Sequence, residues 1–317
     1  MYILFRKELS DHLRSVRFRI LFALLAVISF ISLYGAIDTL AQAAQQTSDG
    51  QTALSEYLFL LLFTTSGSSI YSFATFIGFL GPLVGIMLGF DAINEELAQG
   101  TLNRLAAQPI YRDTIINAKF LAGAAAVTIT IFSIGGLMAG VGLIATGLIP
   151  TGEQVARLLI FLLMADLYIC MWMAIAEFFS VVCRHAATAA LACIAIWLFL
   201  TMFQSLVASG IAGMIYPTSG GMSAQQNVLR NYQLQTALCR ISPYYLFSEI
   251  TSILMNPNVH STNIVSILQS QEGAIASYLT LGQSLLQIWP HIVVMIALTV
   301  LAFAAAYICF MRKEIRA

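Results

Sequence analysis

The chain has 317 residues, of which 59% are hydrophobic and only 9% are charged, with 15 basic and 15 acidic side chains. A soluble domain carries roughly 25% charged residues, so this composition excludes an ordinary soluble fold and indicates a protein that works in lipid. No basic cluster is large enough to bind a nucleic-acid backbone.

The first 17 residues predict a short amphipathic helix. Phe5, Leu9, Leu13 and Val16 recur every three or four residues, and polar side chains fill the positions between and after them, among them Arg6, Lys7, Ser10, Asp11, Arg14 and Arg17. Such a helix suits the membrane interface. A plain continuation of the first spanning helix is the alternative.

Six apolar stretches are each long enough to cross a bilayer, which takes about 20 residues. They predict an all-α membrane protein with six transmembrane helices in a single domain over residues 1–317. Pro290 is expected in the first turn of the last span. The stretches cover residues 20–37, 70–90, 120–148, 158–182, 186–208 and 290–311.

The basic residues predict the orientation. With the N-terminus in the cytoplasm, twelve of the fifteen basic residues lie on the cytoplasmic side, as the positive-inside rule requires. We therefore expect a multi-pass protein of the cytoplasmic membrane with both termini inside. Residues 210–289 then form an extracytoplasmic segment between spans five and six.

The sequence offers no motif for covalent or nucleotide chemistry. None of its three lysines follows a glycine as in a phosphate-binding loop, and its four histidines are too scattered for a zinc motif. No Gly-x-Ser-x-Gly nucleophile elbow occurs. We therefore expect no enzyme activity, no cofactor and no metal on this chain.

Two glycine series predict close helix packing. Gly81, Gly85 and Gly89 stand four residues apart, as do Gly136 and Gly140. Small residues at this spacing let helices approach closely in lipid. Packing inside the bundle is favoured over a seam between two copies.

The most informative segment is the cytoplasmic loop 91–119. Asp91, Glu95 and Glu96 follow the second span, at the helix end where the dipole disfavours negative charge. Gly100 can end this helix, so a short helix, a turn and a second short helix are expected. A basic partner surface would stabilise the acids, and a solvated loop is the alternative.

This loop resembles a recurring motif of a known family. The motif is an acidic pair, a Gly-Thr-Leu turn, a leucine-rich stretch, a proline, an arginine and a lysine. The matching residues are Glu95, Glu96, Gly100, Thr101, Leu102, Arg104, Leu105, Pro109, Arg112 and Lys119. The pattern is similar to the first cytoplasmic loop of exporter-type ABC transporter permeases, the ABC-two-type or type V class. The N-terminal helix likewise resembles the elbow helix of that family.

The resemblance implies a division of labour. Two copies of such a permease, or one copy and a related permease, pair with two separate ATPase subunits that bind ATP and magnesium. The loop docks on the ATPase and passes its movement to the spans. Carried over by position, Glu95, Glu96, Gly100, Thr101 and Arg104 form the coupling helix and its flanks.

Two acids lie within the fourth apolar stretch. Asp166 and Glu177 are eleven residues apart, about three turns, so both face the same side. Intramembrane acids are costly and often functional, so a translocation path is one interpretation and a structural role the other. Two rival functions also use them: an ion-coupled secondary transporter and an intramembrane enzyme.

Overall fold

The computed structural model describes residues 1–46, 57–67, 70–98, 100, 111–218, 222–256 and 279–313. All regular secondary structure within these ranges is helical. The helices are α1 Tyr2–Arg14, α2 Val16–Gln46, α3 Leu58–Thr64, α4 Phe73–Gly89, α5 Asn94–Ala98, α6 Arg112–Thr146, α7 Gly152–Val182, α8 Ala186–Leu198, α9 Gln204–Ile215, α10 Met222–Cys239, α11 Pro243–Met255 and α12 Leu281–Arg312, and a π-helical turn at Phe199–Phe203 joins α8 to α9.

Six helical segments of the described chain are long and apolar enough to cross a membrane, which confirms the all-α class and all six predicted spans. They are Val16–Gln42, Phe73–Ala98, Arg112–Thr146, Gly152–Val182, Ala186–Ile215 and Leu281–Arg312.

Local signals set several helix ends. The Ser72 side chain accepts a hydrogen bond from the backbone of Thr75 and so begins α4. Gly147 adopts the left-handed conformation, with φ of +67°, and ends α6. Thr151 and Gln154 then form a reciprocal capping box that begins α7 only a few residues later. Because this connection is short, α6 and α7 are antiparallel neighbours.

Several helices extend beyond the predicted spans, most of all at the starts of the last and the third span. Pro290 does not lie in the first turn of the last span, because α12 begins at Leu281 and contains the proline. The residues before Pro290 are less apolar but still helical. Similarly, α6 begins at Arg112 rather than near Phe120. Lys119 therefore lies two turns inside a helix and not in the loop before it.

The described chain divides into two compact units, residues 1–194 with 294–317 and residues 195–293. In the first unit, α4 packs so closely along α7 that Gly85 and Gly89 lie against its backbone. A Cβ on Gly85 would meet the carbonyl oxygen of Ile169, and one on Gly89 would lie 2.6 Å from that of Met173. This glycine series thus packs inside the unit, as expected. By contrast, a Cβ on Gly136 or Gly140 would meet nothing within 4 Å among the described residues.

The N-terminal helix α1 is separate from the first span. Ser15 has extended backbone between α1 and α2, and its hydroxyl accepts a hydrogen bond from the backbone of Phe18. The chain therefore turns at Ser15 instead of continuing as one helix. α1 packs along α6 with Glu8 buried.

The second unit contains the π-helical turn, α9, α10 and α11. The side chain of Gln204 donates to the carbonyl of Leu238 at 2.9 Å, and the Ser242 hydroxyl donates to that of Leu200 at 2.6 Å. The longest described helix that lies wholly within this unit is α10, over Met222–Cys239. That residues 210–289 lie outside the cell stays a prediction, as does the single-domain organisation.

Candidate coupling site

The short helix α5 is fixed to the first unit through its beginning. The backbone N–H groups of Ile93 and Asn94 donate to the hydroxyl of Ser180 on α7, at 3.0 and 3.2 Å. Ile93 is fully buried in an apolar cluster that includes Ile115 and Phe310. These contacts place α5 at the end of the unit where α6 begins and α7 ends.

The two adjacent glutamates of α5 point in different directions. Glu95 is exposed, whereas Glu96 turns inward and its Oε1 lies 2.8 Å from the ammonium group of Lys119. Adjacent residues on a helix point about 100° apart, so one glutamate faces outward while the other faces α6. Only Glu95 therefore presents a carboxylate at the surface of α5.

Lys119 joins three helices through two ion pairs. Its ammonium group contacts Glu96 of α5 and, at 3.1 Å, Glu8 Oε2 of α1. The side chains of Lys119, Glu8 and Glu96 are only 7%, 9% and 14% exposed. We call Glu8, Glu96 and Lys119 the lysine clamp. It binds the elbow-like helix and the acidic helix to the first turns of α6.

Burial by itself would raise the pKa of Glu8, but the ammonium groups of Lys119 and Lys7 outweigh it and hold the pKa below its usual range. An acid with a lowered pKa stabilises the fold above the pKa of the unfolded chain, about 4.3. This stabilisation is lost as the pH falls through the folded pKa.

We therefore expect the difference in melting temperature between the wild type and Glu8→Gln to be largest near neutral pH and to shrink below about pH 4.3. Thermal unfolding in detergent from pH 7 to pH 3 measures it. Burial also lowers the pKa of His12. His12 therefore reduces the stability of the fold as the pH falls below about 6.5, where it is protonated more readily in the unfolded chain. His12 is present in both proteins, so the comparison isolates Glu8. A constant difference down to pH 3 would contradict the prediction.

A second ion pair ties the first span to the turn before α5. Arg17 Nη1 lies 2.6 Å from Asp91 Oδ2. These two residues also line a cleft of about 260 Å³, together with Glu95, Arg184 and His185. The cleft thus combines charges from the start of α2, from α5 and from the turn between α7 and α8.

The other predicted coupling residues are only partly described. Gly100 has φ of +68°, the left-handed conformation expected for a glycine that follows a helix. Thr101 and Arg104 lie outside the described residues. The coupling role of all five residues stays a prediction.

The intramembrane acids both face α6 but have different surroundings. Asp166 is half-buried at the middle of α7, with both carboxylate oxygens 3.2 Å from the Thr128 hydroxyl. Glu177 is 2% exposed, and its Oε2 has no hydrogen-bond partner among the described residues. Arg184 is exposed, whereas Lys119 of α6 interacts electrostatically with Glu177.

A charged cluster in the second unit escaped the sequence analysis. Arg240 donates two hydrogen bonds to the buried carboxylate of Glu249, at 3.0 and 3.1 Å, and His291 Nε2 lies 2.8 Å from the same group. Glu249 stands on the inner face of an amphipathic helix. A charged residue on the apolar face of a helix was the signal that could have identified it, and the same holds for Glu8.

Comparison with known proteins is consistent with this architecture. The family model for the ABC-2 family transporter protein matches residues 2–315. A curated relative, the probable ABC transporter permease protein NosY of Stutzerimonas stutzeri, is 37% identical over 119 residues. That match covers 37% of this chain and 36% of the relative, so it spans about a third of either protein.

Proposed function

Because this chain belongs to the ABC-2 transporter family, and is thus a multi-pass membrane component of an ABC transporter, we propose that it is the permease subunit of an exporter driven by a separate ATPase. ATP and magnesium bind to that ATPase subunit. The complex contains two permeases, either two copies of this chain or one copy and a related permease.

The exposed carboxylate of Glu95 carries this proposal. It lies on α5, beside the cleft formed with Arg17 and Arg184, and a basic groove on a partner would complement it. The resemblance adds Gly100, Thr101 and Arg104 to the docking element. Glu96 has another role, because its charge pairs with Lys119 inside the unit.

Through the lysine clamp, docking of a partner on α5 can move the membrane-spanning helices. A partner that displaces α5 pulls Glu96 against Lys119, and Lys119 belongs to α6 while Glu8 belongs to α1. Ser180 holds the beginning of α5 to α7. Movement of one short helix is therefore passed to the elbow-like helix and to the third and fourth spans.

We assign the translocation path to the face that contains Asp166. An ionised carboxylate is costly in hydrocarbon, and Asp166 is only half-buried within its own unit. A water-filled path, or a second copy of the chain, would cover it. Orientation follows the basic residues, with α5 and both termini in the cytoplasm and export outward across the cytoplasmic membrane.

Co-purification from native membranes tests the docking role with Glu95→Lys. We expect an ATPase subunit to accompany the wild type and its recovery to fall about tenfold with the variant, because the substitution places like charges together. Asp38→Lys is the control, since Asp38 is an exposed acid at the opposite end of the first span. Glu96 is left unchanged in this test, because reversing its charge would break the lysine clamp and confuse docking with folding.

Each outcome has a distinct meaning. Absence of any ATPase from the wild-type sample overturns the proposed function. Equal recovery with Glu95→Lys leaves an ABC permease whose docking element is not α5.

A further inference from the structure

Glu177 is the buried acid that the lysine clamp leaves without a cation. Glu177 is 2% exposed, and its Oε2 has no hydrogen-bond partner in the described part of the chain. The side-chain amide of Asn94, two residues before Glu96, also has no hydrogen-bond partner there. Burying an ionised carboxylate without a cation costs several kcal/mol. A buried carboxyl group avoids this cost by keeping its proton, and it can ionise once a lysine ammonium group reaches it, which suggests that the two groups meet in another conformation.

The helix geometry places Lys119 opposite Glu177. A Cβ on Gly123 of α6 would lie 2.5 Å from Met173 Sδ of α7, so these two residues face each other. The helices are antiparallel, and four residues advance each of them by about 6 Å. Lys119 precedes Gly123 by four residues and Glu177 follows Met173 by four, so both lie at the same level on facing surfaces.

Lys119 nevertheless pairs elsewhere in this conformation. Its ion pairs in the described residues are to Glu8 and Glu96, and it acts on Glu177 only through the longer-range electrostatic interaction. A lysine side chain has a flexible four-carbon stem. It can therefore move between these carboxylates without any movement of the α6 backbone.

We propose that Lys119 has two alternative sites: Glu8 and Glu96 when α5 is docked on the first unit, and Glu177 when α5 is displaced. The exchange rests on the proposed function, because the ATPase is what displaces α5. It turns release of α5 into a new ion pair between α6 and α7. Lys119 is thus a positioning residue of the transport cycle, and Glu177 receives the lysine and does not contact the substrate.

The exchange can be tested on the purified chain without any partner. Glu8→Gln with Glu96→Gln removes both carboxylates of the first site, a larger change than displacement of α5, which takes away Glu96 alone. In this background we measure the loss of melting temperature caused by Lys119→Met, by Glu177→Gln and by both changes together. We expect the two single losses to add up to at least about 2 °C more than the loss of the combined variant. In the wild-type background the two losses add. Glu95→Gln, an exposed neighbour of Glu96, is the matched control and leaves them additive.

A second measurement covers variants that fold poorly. A membrane-permeable carbodiimide joins an amine to a neighbouring carboxylate, and peptide mapping identifies the pair. We expect Lys119 linked to Glu8 or Glu96 in the wild type, to Glu8 and Glu177 in Glu96→Gln alone, and to Glu177 in the double background. Additive losses in both backgrounds, or no link to Glu177 in any variant, overturn the exchange. Failure of the proposed function shows separately, as a wild-type preparation without an ATPase.

Discussion

Replacing Lys119 with alanine lowers the free energy of unfolding by about 3–5 kcal/mol, because Glu96 loses the cation it pairs with and the buried Glu8 keeps only the exposed Lys7. Glu8 and Glu96 are 9% and 14% exposed, so water cannot replace the lost ammonium group. A denaturant titration in mixed micelles, followed by tryptophan fluorescence, measures the loss.

Lys7→Ala is the control for this prediction. Lys7 also pairs with Glu8, at 3.0 Å, but its side chain is 55% exposed. Exposed ion pairs contribute at most about 1 kcal/mol. Equal losses for the two lysines would mean that the clamp does not stabilise the fold through burial.

The second large effect is expected at the contact between α4 and α7. Gly85→Ala places a methyl group against the carbonyl oxygen of Ile169 and 2.9 Å from the backbone nitrogen of Met173. Neither backbone can give way without disturbing its helix, so we expect a loss of about 1–3 kcal/mol, measured by the same titration.

Gly136→Ala is the matched control, since it makes the same change in helix propensity. A Cβ there meets nothing within 4 Å in the described chain, so little stability should be lost. Alanine favours a helix over glycine by up to about 1 kcal/mol, so the control should be unchanged or slightly more stable, and a similar loss at both positions would contradict the role of the contact with α7.

The six spans could be predicted because each depends on a local property. A stretch of about 20 apolar residues is visible in the sequence whatever its neighbours are. The ends of the spans were less accurate. A charge such as Lys119 looks like the end of an apolar run, yet its helix continues to Arg112, because Glu8 and Glu96 neutralise the lysine inside the unit.

The candidate site needed contacts that the sequence does not contain. Glu8 and Lys119 are separated by 111 positions, and nothing in either segment indicates its partner. In the sequence, Glu95 and Glu96 look like a single acidic pair with one role. On the helix they point in different directions, one to the surface and one to Lys119. The resemblance located the segment, and only the packing of α1 and α6 against it separates a surface charge from an internal one.

The glycine contact between α4 and α7 also has a mechanical consequence. Because Gly85 and Gly89 of α4 lie against the backbone of α7, the two helices have little room to move relative to each other and are expected to move together. Ser180, where α5 is tied to α7, lies fourteen residues from Asp166, or about 21 Å along the helix axis. If a partner tilts α5 in the proposed coupling step, we expect α7 and α4 to tilt together and to move Asp166 with them.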